Sequence, residues 1–546
     1  MRYKPEGASN NLSRRGFLKT ASIGAGVAAI ASLSPSEAKA ITLNQVPKWD
    51  YETDVVILGT GFAGQVSAIV AYDAGASVLM IEKASEAHQG GNSRVCSQLM
   101  WSPSKNILED SFRYLKAMTA GTGFPVPDEY LRFYVKGSHE NKAWFENLGA
   151  TMIPRLKPGT YVPFYPELPG ADAIASEVAA YTVGGDYRGP SSVWNFLEDQ
   201  IKGRKRIKKM YETPGKKLIQ DPLTSEIRGV VATSRGKETF IKAKRGVVIC
   251  TGGYEFNLEM IREYIHLQDF ASPGSPYNTG DGIRMCMAVG SDLVNMGSCA
   301  APWTFLCKVP DYLSSLLFMP IKGGHIRIGA DSRRYKDEYW QPPHGPWPGH
   351  RPEFCGMVKE NGAYRREKTP FPIHAIIDET ARLSGPLWLG IGFSGKIENF
   401  VCSKDNAEEI AKGYAIAADT IEELAVKIER DPVVLKDTVK RWNAACSEGV
   451  DKEYGRTKNL TPVSKPPFYA VKAIPSALNT QGGMLRDIES RVIDVFGKPI
   501  PRLYAAGECG DRVWSNLYEC TKNVGAGCLA AGRMAGKNAA AKKPWT

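Results

Sequence analysis

Apolar residues first fall into register at residues 54–58 (DVVIL), a short and largely β-branched run of the kind that forms a strand buried on both faces. A glycine-rich turn, residues 59–64 (GTGFAG), follows directly. An Ala/Val-rich stretch at residues 65–74 then reads as a helix, and residues 77–81 as a second strand ending at Glu82. Further on, the spacing predicts helices over residues 108–120, 128–148 and 192–202, separated by a loop at residues 154–190 rich in Pro, Gly and Tyr. A loop of that length suggests a functional cover. Residues 217–231 with 239–244 read as a small hairpin sheet, and residues 245–250 as a separate apolar strand entering a Thr251-Gly252-Gly253 turn. A third glycine turn, residues 278–282 (NTGDG), opens an amphipathic helix at 283–289.

From about residue 301 to 468 the composition turns to Trp, Pro, Tyr and charged residues without a glycine signature, which reads as an inserted domain. The earlier pattern then returns. Residues 480–483 (TQGG) precede a strand-like 492–494, residues 503–508 (LYAAGE) form another strand ending in Gly-Glu, and residues 527–541 form a last helix rich in Ala and Gly. The division is therefore 1–40, a removable segment; 48–300, the first part of a cofactor domain; 301–468, the inserted domain; and 469–546, the second part.

The first turn carries chemistry. Gly59, Gly61 and Gly64 give G-x-G-x-x-G, which alone says little in a chain with 54 glycines among 546 residues. Strand, helix, second strand and Glu82 supply the required context. The glycines permit a tight turn and close backbone approach, the helix N-terminus faces a pyrophosphate, and the acid takes the ribose hydroxyls of a dinucleotide. Residues 89–93 (QGGNS) form another glycine turn, which can lie flat against a planar ring and donate hydrogen bonds to it.

Composition narrows the classes. The formal charge of +11 falls to +7 once residues 1–40, with six Lys/Arg and two Asp/Glu, are set aside. Residues 202–209 (KGRKRIKK) then read as a solvated face, and no nucleic-acid motif accompanies them. The eleven cysteines are scattered without C-x-x-C or C-x-x-C-H spacing, so no metal, haem or iron–sulfur site is expected. Residues 13–19 (SRRGFLK), the short Ala/Gly-rich run 21–33 and Ala38-Lys39-Ala40 read as a twin-arginine signal cleaved after Ala40. The run is too short to span a bilayer, which needs about 20 apolar residues. The expectation is a periplasmic protein exported folded, with no stable membrane insertion.

Together, residues 59–64, Glu82-Lys83, 90–93, 247–253, 278–282, 480–483 and 503–508 resemble the flavoprotein family of fumarate reductases and 3-ketosteroid dehydrogenases, closer to the ketosteroid branch. Residues 324–338 are similar to the cap stretch of those enzymes. The resemblance implies an α/β fold, with a Rossmann-type FAD-binding domain and an inserted α+β cap, and non-covalent FAD. By motif match Gly59, Gly61, Phe62, Ala63 and Gly64 meet the pyrophosphate, and Glu82 with Lys83 the adenosine ribose. Gly91, Asn92 and Ser93 face the flavin, Asp281 and Glu508 the ribityl-phosphate region, and Asn523 and Val524 the isoalloxazine ring. Thr251, Gly252, Gly253, Gly482 and Gly507 belong to the remaining matched turns.

Departures from the family bear on substrate. Ile321, Leu478 and Glu519 stand where fumarate reductases hold an arginine, a histidine and a second arginine, so a dicarboxylate would meet an apolar or negative wall. Tyr518 falls where the ketosteroid resemblance places a functional tyrosine, as hydrogen-bond donor or base, or as a packing residue. Lys522 replaces a family glycine close by. His325 and His374 are further candidates in the inserted domain, with a purely structural role as the alternative, and Trp303, Phe305, Trp340 and Trp347 could wall an apolar pocket.

The expected activity is hydride and proton transfer across a carbon–carbon bond beside a carbonyl. The substrate would be a small apolar carbonyl compound, and electrons would pass to or from a separate cytochrome or quinone-linked partner. Oxidation of an alcohol or other C–H donor, and a non-catalytic flavin electron-transfer subunit, remain as alternatives.

Overall fold

A computed structural model describes residues 40–120, 126–161, 163, 165–300, 303–320, 322–335, 337–338, 357–360, 363–366, 371–510, 513 and 524–545. Val55, Val56 and Ile57 are fully buried on β1 (Tyr51–Leu58), as an apolar run with no polar face requires. The chain passes through α1 (Phe62–Asp73) and returns as β2 (Val78–Ile81), parallel to β1 with Val55 beside Val78 and Leu58 beside Ile81. The short helix α2 (Gly91–Val95) follows, and β3 (Ile207–Met210) extends the sheet parallel to β2.

The hairpin expected at residues 217–244 is not a separate sheet. Its last strand and the following apolar strand are one element, β4 (Lys237–Ile249). β4 pairs antiparallel with Ile227–Ser234 and parallel with β1, with a register shift between Ala243 and Gly246. The polar stretch Lys242 to Arg245 looks like a break in sequence. In the fold Lys242 and Lys244 pair with Glu52, and Arg245 with Asp54, so the charges are answered across the strand and the ladder continues.

The loop expected at 154–190 is also largely structured. Met152–Leu156 and Ala179–Val183 pair with each other, Met100–Ser102 adds a third strand, and Ala171–Glu177 is helical. Pro and Gly at the ends of these short pieces hide their alternation.

A second, antiparallel sheet of seven strands occupies the inserted region. The helix α3 (Gly392–Lys396) lies within that region. The central strand of the sheet is β5 (Phe468–Ser476), which pairs with Trp303–Cys307, Ile373–Ile377 and Ile416–Ala418. β5 lies across the expected boundary at 468/469, because its apolar run reads equally well as the start of either sheet. In the family-like stretch 324–338, Arg334 bonds Glu338 and Asp451 at 2.9 Å, and Arg456 bonds Glu338 at 3.0 Å, all buried beside Trp442.

Returning to the first sheet, β6 (Pro499–Ala505) lies parallel to β4 on the side opposite β1, beyond the end of the pairing with Ile227–Ser234. The final α-helix, α4 (Ala531–Ala541), packs on α1 so closely that a Cβ on Gly536 would stand 2.3 Å from the Ser67 carbonyl oxygen. Residues 527–530, expected as part of this helix, belong instead to a wider π-type turn over Val524–Ala530. The whole is the α/β fold expected: a doubly wound sheet whose chain is interrupted by a second α+β layer.

Candidate cofactor site

The C-terminal ends of β1, β2, β4 and β6 converge on a cleft holding about 890 Å³ of atom-free space, part of it open to solvent. Cofactor sites in such sheets fall at this edge. Gly59, Gly61 and Ala63 line it from the first turn, Glu82 and Lys83 from the end of β2, and Gly91, Asn92 and Ser93 from α2. Thr251, Gly252 and Asp281 line the opposite wall, with Gly507 and Glu508 from the end of β6. The other expected residues stand behind this surface. Phe62 is fully buried and its amide donates to Ser93 Oγ at 2.9 Å. Gly64, Gly253 and Gly482 are close-approach positions, where a Cβ would lie 2.1 Å from Gly59 O, 2.2 Å from Thr480 Oγ1 and 2.4 Å from Met296 Cα. Val524 opens the π-type turn, and Asn523 lies outside the described residues.

Polar contacts fix the cleft. Glu82 accepts from the Thr60 amide at 3.1 Å and the Ala84 amide at 2.9 Å, and the Thr60 hydroxyl also donates to it while accepting from the Gly90 amide at 3.0 Å. The carboxylate is thereby held at the strand end. Lys83 donates to Asp281 at 2.8 Å and so ties β2 to the 278–282 turn. Asn92 is the hub. Its amide donates to Glu255 at 2.8 Å and Glu508 at 3.2 Å, and its oxygen accepts from the Ser275 amide at 2.7 Å.

Glu255 is a residue that the reading of the sequence passed over. It sits two positions beyond the Thr-Gly-Gly turn, 2% exposed, and accepts from Asn92, Asn278 and the Thr480 hydroxyl. Burial pushes its pKa above the usual carboxyl range, and the amide and hydroxyl donors only partly offset that. The available signal was an acid inside the otherwise uncharged run 247–258.

The residues fit a dinucleotide cofactor. Thr251 Oγ1 and Ser275 Oγ are buried, line the cleft and have no hydrogen-bond partner among the described residues. Buried polar atoms are normally satisfied, so two unanswered hydroxyls on one wall mark positions for ligand polar atoms. The first turn of α1 carries no acid, which leaves its amide end open to a pyrophosphate. Among the described residues, a Cβ added to Gly91 would meet nothing nearer than Asn278 at 4.0 Å, so the backbone there leaves room for a flat ring.

The catalytic candidates do not gather at this cleft. His325 is 1% exposed, and burial with the nearby Arg456 and Arg327 pushes its pKa down to about 3. Its Nδ1 lies 3.3 Å from Asn459 Nδ2. His374 is buried beside Arg430, and burial lowers its pKa to about 4. Neither lines the cleft. Leu478 is half-buried, its amide bonded to Ala300 O and its carbonyl accepting from Ser272 Oγ. Tyr518, Ile321, Glu519, Lys522, Trp340 and Trp347 lie outside the described residues, as do the side chains of Trp303 and Phe305. The basic run 202–209 is less uniform than it reads: Lys209 on β3 is paired with Glu198, both about 10% exposed.

A cleft of this make, at the edge of a doubly wound sheet interrupted by a second layer, defines an FAD-dependent oxidoreductase. The chain belongs to the FAD binding domain family, whose profile matches residues 54–517. It is similar to digoxin reductase of Eggerthella lenta, 27% identical with 99% of each chain covered. It is also similar to 3-oxosteroid 1-dehydrogenase of Mycobacterium tuberculosis, 25% identical over 86% of this chain and 94% of that one. The fold matches the crystal structure of 3-ketosteroid Δ1-dehydrogenase from Sterolibacterium denitrificans in complex with 1,4-androstadiene-3,17-dione, with a TM-score of 0.67 at 22% identity, covering 90% of this chain and 99% of that one. Among the described residues no helix is long and apolar enough to cross a membrane.

Proposed function

We propose that this oxidoreductase moves a hydride and a proton across a carbon–carbon bond next to a carbonyl, desaturating a ketone or reducing an enone or enoate. The observation that carries the reading is the family match over residues 54–517, together with whole-chain relatives named for a reductase and a 3-oxosteroid dehydrogenase. Bound FAD supplies the two-electron hydride chemistry. The chain supplies position: the Asn92–Glu255–Glu508 cluster orients polar groups of the cofactor, and the glycine turns at 59–64 and 251–253 let the backbone approach it. By the family match, Leu478 puts an apolar, half-buried residue where a dicarboxylate would need a cation, which supports a ketone or enone over a dianion. With both histidines away from the cleft, proton transfer is assigned to Tyr518.

The same reading includes export by the twin-arginine segment with cleavage after Ala40, and a separate cytochrome or quinone-linked electron partner. It takes residues 48–300 and 469–546 as the FAD domain and 301–468 as the cap. Replacement of Arg14 and Arg15 by Lys should trap the protein in the cytoplasm; unchanged export would remove that part.

Anaerobic stopped-flow absorbance of the holoenzyme tests the chemistry. A saturated 3-ketosteroid should bleach the oxidised flavin, or an enone should reoxidise the dithionite-reduced form. Bleaching by simple alcohols with no response to any ketone or enone would refute the reading; fast turnover of fumarate would refute the exclusion of dicarboxylates argued from Ile321, Leu478 and Glu519.

A further inference from the structure

A second concavity, holding about 900 Å³ of atom-free space, part of it open to solvent, begins where α2 ends. Gly91, Asn92 and Ser93 face the cofactor cleft, and Ser97, Gln98 and Leu99, a few residues on, form one side of this basin. Three cations line it, Arg155, Arg188 and Lys396, and among the described residues no carboxylate does. The imbalance stands out in a chain whose lysines and arginines are so often paired with acids. Arg155 and Arg188 make no ion pair among the described residues. Lys396 spends one ammonium hydrogen on the Cys96 carbonyl at 2.6 Å and has two more to give.

Arg155 and Arg188 are exposed at the rim of the basin, and its Gln98 side is tied to the cofactor cleft. Gln98, in the left-handed region at φ 59°, is held by its own side chain: Nε2 donates to Ser93 O at 2.7 Å, and Oε1 accepts from the Trp194 amide at 3.1 Å. Across the gap, α3 serves both cavities. Its Phe393 packs against His88 and Tyr277, and Tyr277 lines the cofactor cleft, while Lys396 from the last turn of the same helix reaches the basin.

We propose that Arg155, Arg188 and Lys396 form an anion subsite that holds a carboxylate, sulfate or phosphate group carried by the substrate, at the end remote from the bond that meets the flavin. The inference rests on the hydride-transfer reading and deepens it: the substrate is an unsaturated or saturated carbonyl compound with a single remote anionic group. The apolar Leu478 and the cationic basin are then consistent, because the charge sits away from the reacting bond. Two guanidinium forks suit a planar or tetrahedral oxyanion, and the partly buried ammonium strengthens the field inside the basin.

The test uses the oxidised holoenzyme and biphenyl-4-carboxylate, a redox-inert acid, with its methyl ester as the neutral match. Binding is read from the change in flavin absorbance. The acid should bind at least about tenfold more tightly than the ester at low salt, as expected for a charge-assisted contact, and the difference should shrink at about 0.5 M salt. Arg155→Gln/Arg188→Gln should weaken the acid about tenfold or more with ester affinity and flavin content intact, and Lys396→Met should act in the same direction. Equal affinity for acid and ester, or an unchanged acid affinity in the double variant, would overturn the proposal. Inorganic phosphate binding as tightly as the acid would show a free-anion site and overturn the substrate-borne assignment. If no carbonyl compound exchanges electrons with the flavin yet the acid–ester difference persists, the hydride-transfer reading fails and the anion site stands.

Discussion

Gly64→Ala separates two opposed effects at the cofactor turn. Gly64 lies in the first turn of α1, where alanine favours a helix over glycine by about 1 kcal/mol. Against that gain, the new Cβ would stand 2.1 Å from Gly59 O, whereas real Cβ contacts essentially never fall below 3.0 Å. Something must therefore shift by at least 0.9 Å, the difference between those two distances. The obstacle is backbone in a tight turn, itself held by the Gly59 amide on Ile81 O at 2.9 Å, so it does not swing aside like a side chain. Overpacking of this kind costs about 1–3 kcal/mol, and at a backbone contact the upper part of that range applies. The net loss should be about 1–2 kcal/mol in stability, read from the urea midpoint of the apoprotein. The same shift moves the amide end of α1 away from the pyrophosphate, so FAD affinity should fall about 10–100-fold, read by titrating apoprotein with FAD and following flavin fluorescence. A variant that is about 1 kcal/mol more stable and binds FAD as tightly as before would show that helix propensity alone acts there, and that α1 does not press on the turn.

Glu255→Gln should change the shape of the stability–pH curve. Burial raises the folded-state pKa of Glu255, so the neutral carboxyl contributes stability below the ordinary carboxyl pKa, and that contribution is lost as pH rises through the folded value. The glutamine keeps a neutral group in place, so its stability relative to wild type should rise with pH between about 4.5 and 8; parallel urea-midpoint curves over that range would refute the assignment. Arg456→Met breaks the ion cluster under the second sheet. It removes the bond to Glu338 and three donated to the carbonyls of His325, Lys458 and Asn459, at a site with no side-chain exposure. The expected loss is about 3–5 kcal/mol by urea denaturation, and a loss under about 1 kcal/mol would show the cluster to be dispensable.

The parts of the fold legible in sequence are those where one physical demand dominates. Residues 54–58 had to be a strand because no face of them tolerates water, and α1 had to begin at the glycine turn because only glycine permits the contacts at 59 and 64. Elements that depend on partners distant in the chain were hidden. β4 looks interrupted at residues 242–245 until Glu52 and Asp54 are placed beside it. The sheet of residues 100–102, 152–156 and 179–183 is built from pieces too short to show a period. Glu255, a lone acid in an uncharged run, was hard to read for the same reason, since its meaning comes from Asn92 and Asn278, which the fold brings to it from either side in sequence. The glycine motifs, by contrast, named most of the cleft wall directly, because backbone approach is a local property.

The two sheets meet in the chain at a narrow neck, and the neck explains why the polar cluster lies where it does. The chain leaves the first sheet through Cys299–Ala300 and comes back through Asn479–Thr480, and these two-residue strands pair antiparallel, Cys299 with Thr480 and Ala300 with Asn479. β5, the central strand of the second sheet, ends only three residues before Asn479. Thr480 is where the returning chain joins the cluster at Glu255. Its hydroxyl accepts from the Tyr254 amide at 2.8 Å and donates to Glu255 at 3.2 Å. Glu255 leads to Asn92, and Asn92 to Glu508 and the Ser275 amide. One hydrogen-bonded chain thus runs from the neck to the cleft, buried at Thr480 and Glu255 and part-buried at Asn92 and Glu508, and in its buried part such bonds are stronger than in water and an unpaired member is costly. The glycine fingerprint lies outside this chain, bonded instead through Thr60, Glu82 and Ser93. The end of the cleft at the glycine fingerprint is consequently built from contacts within residues 54–93, whereas the end marked by Asn92 also draws on Thr480 and Glu508, which the chain supplies only after the second sheet.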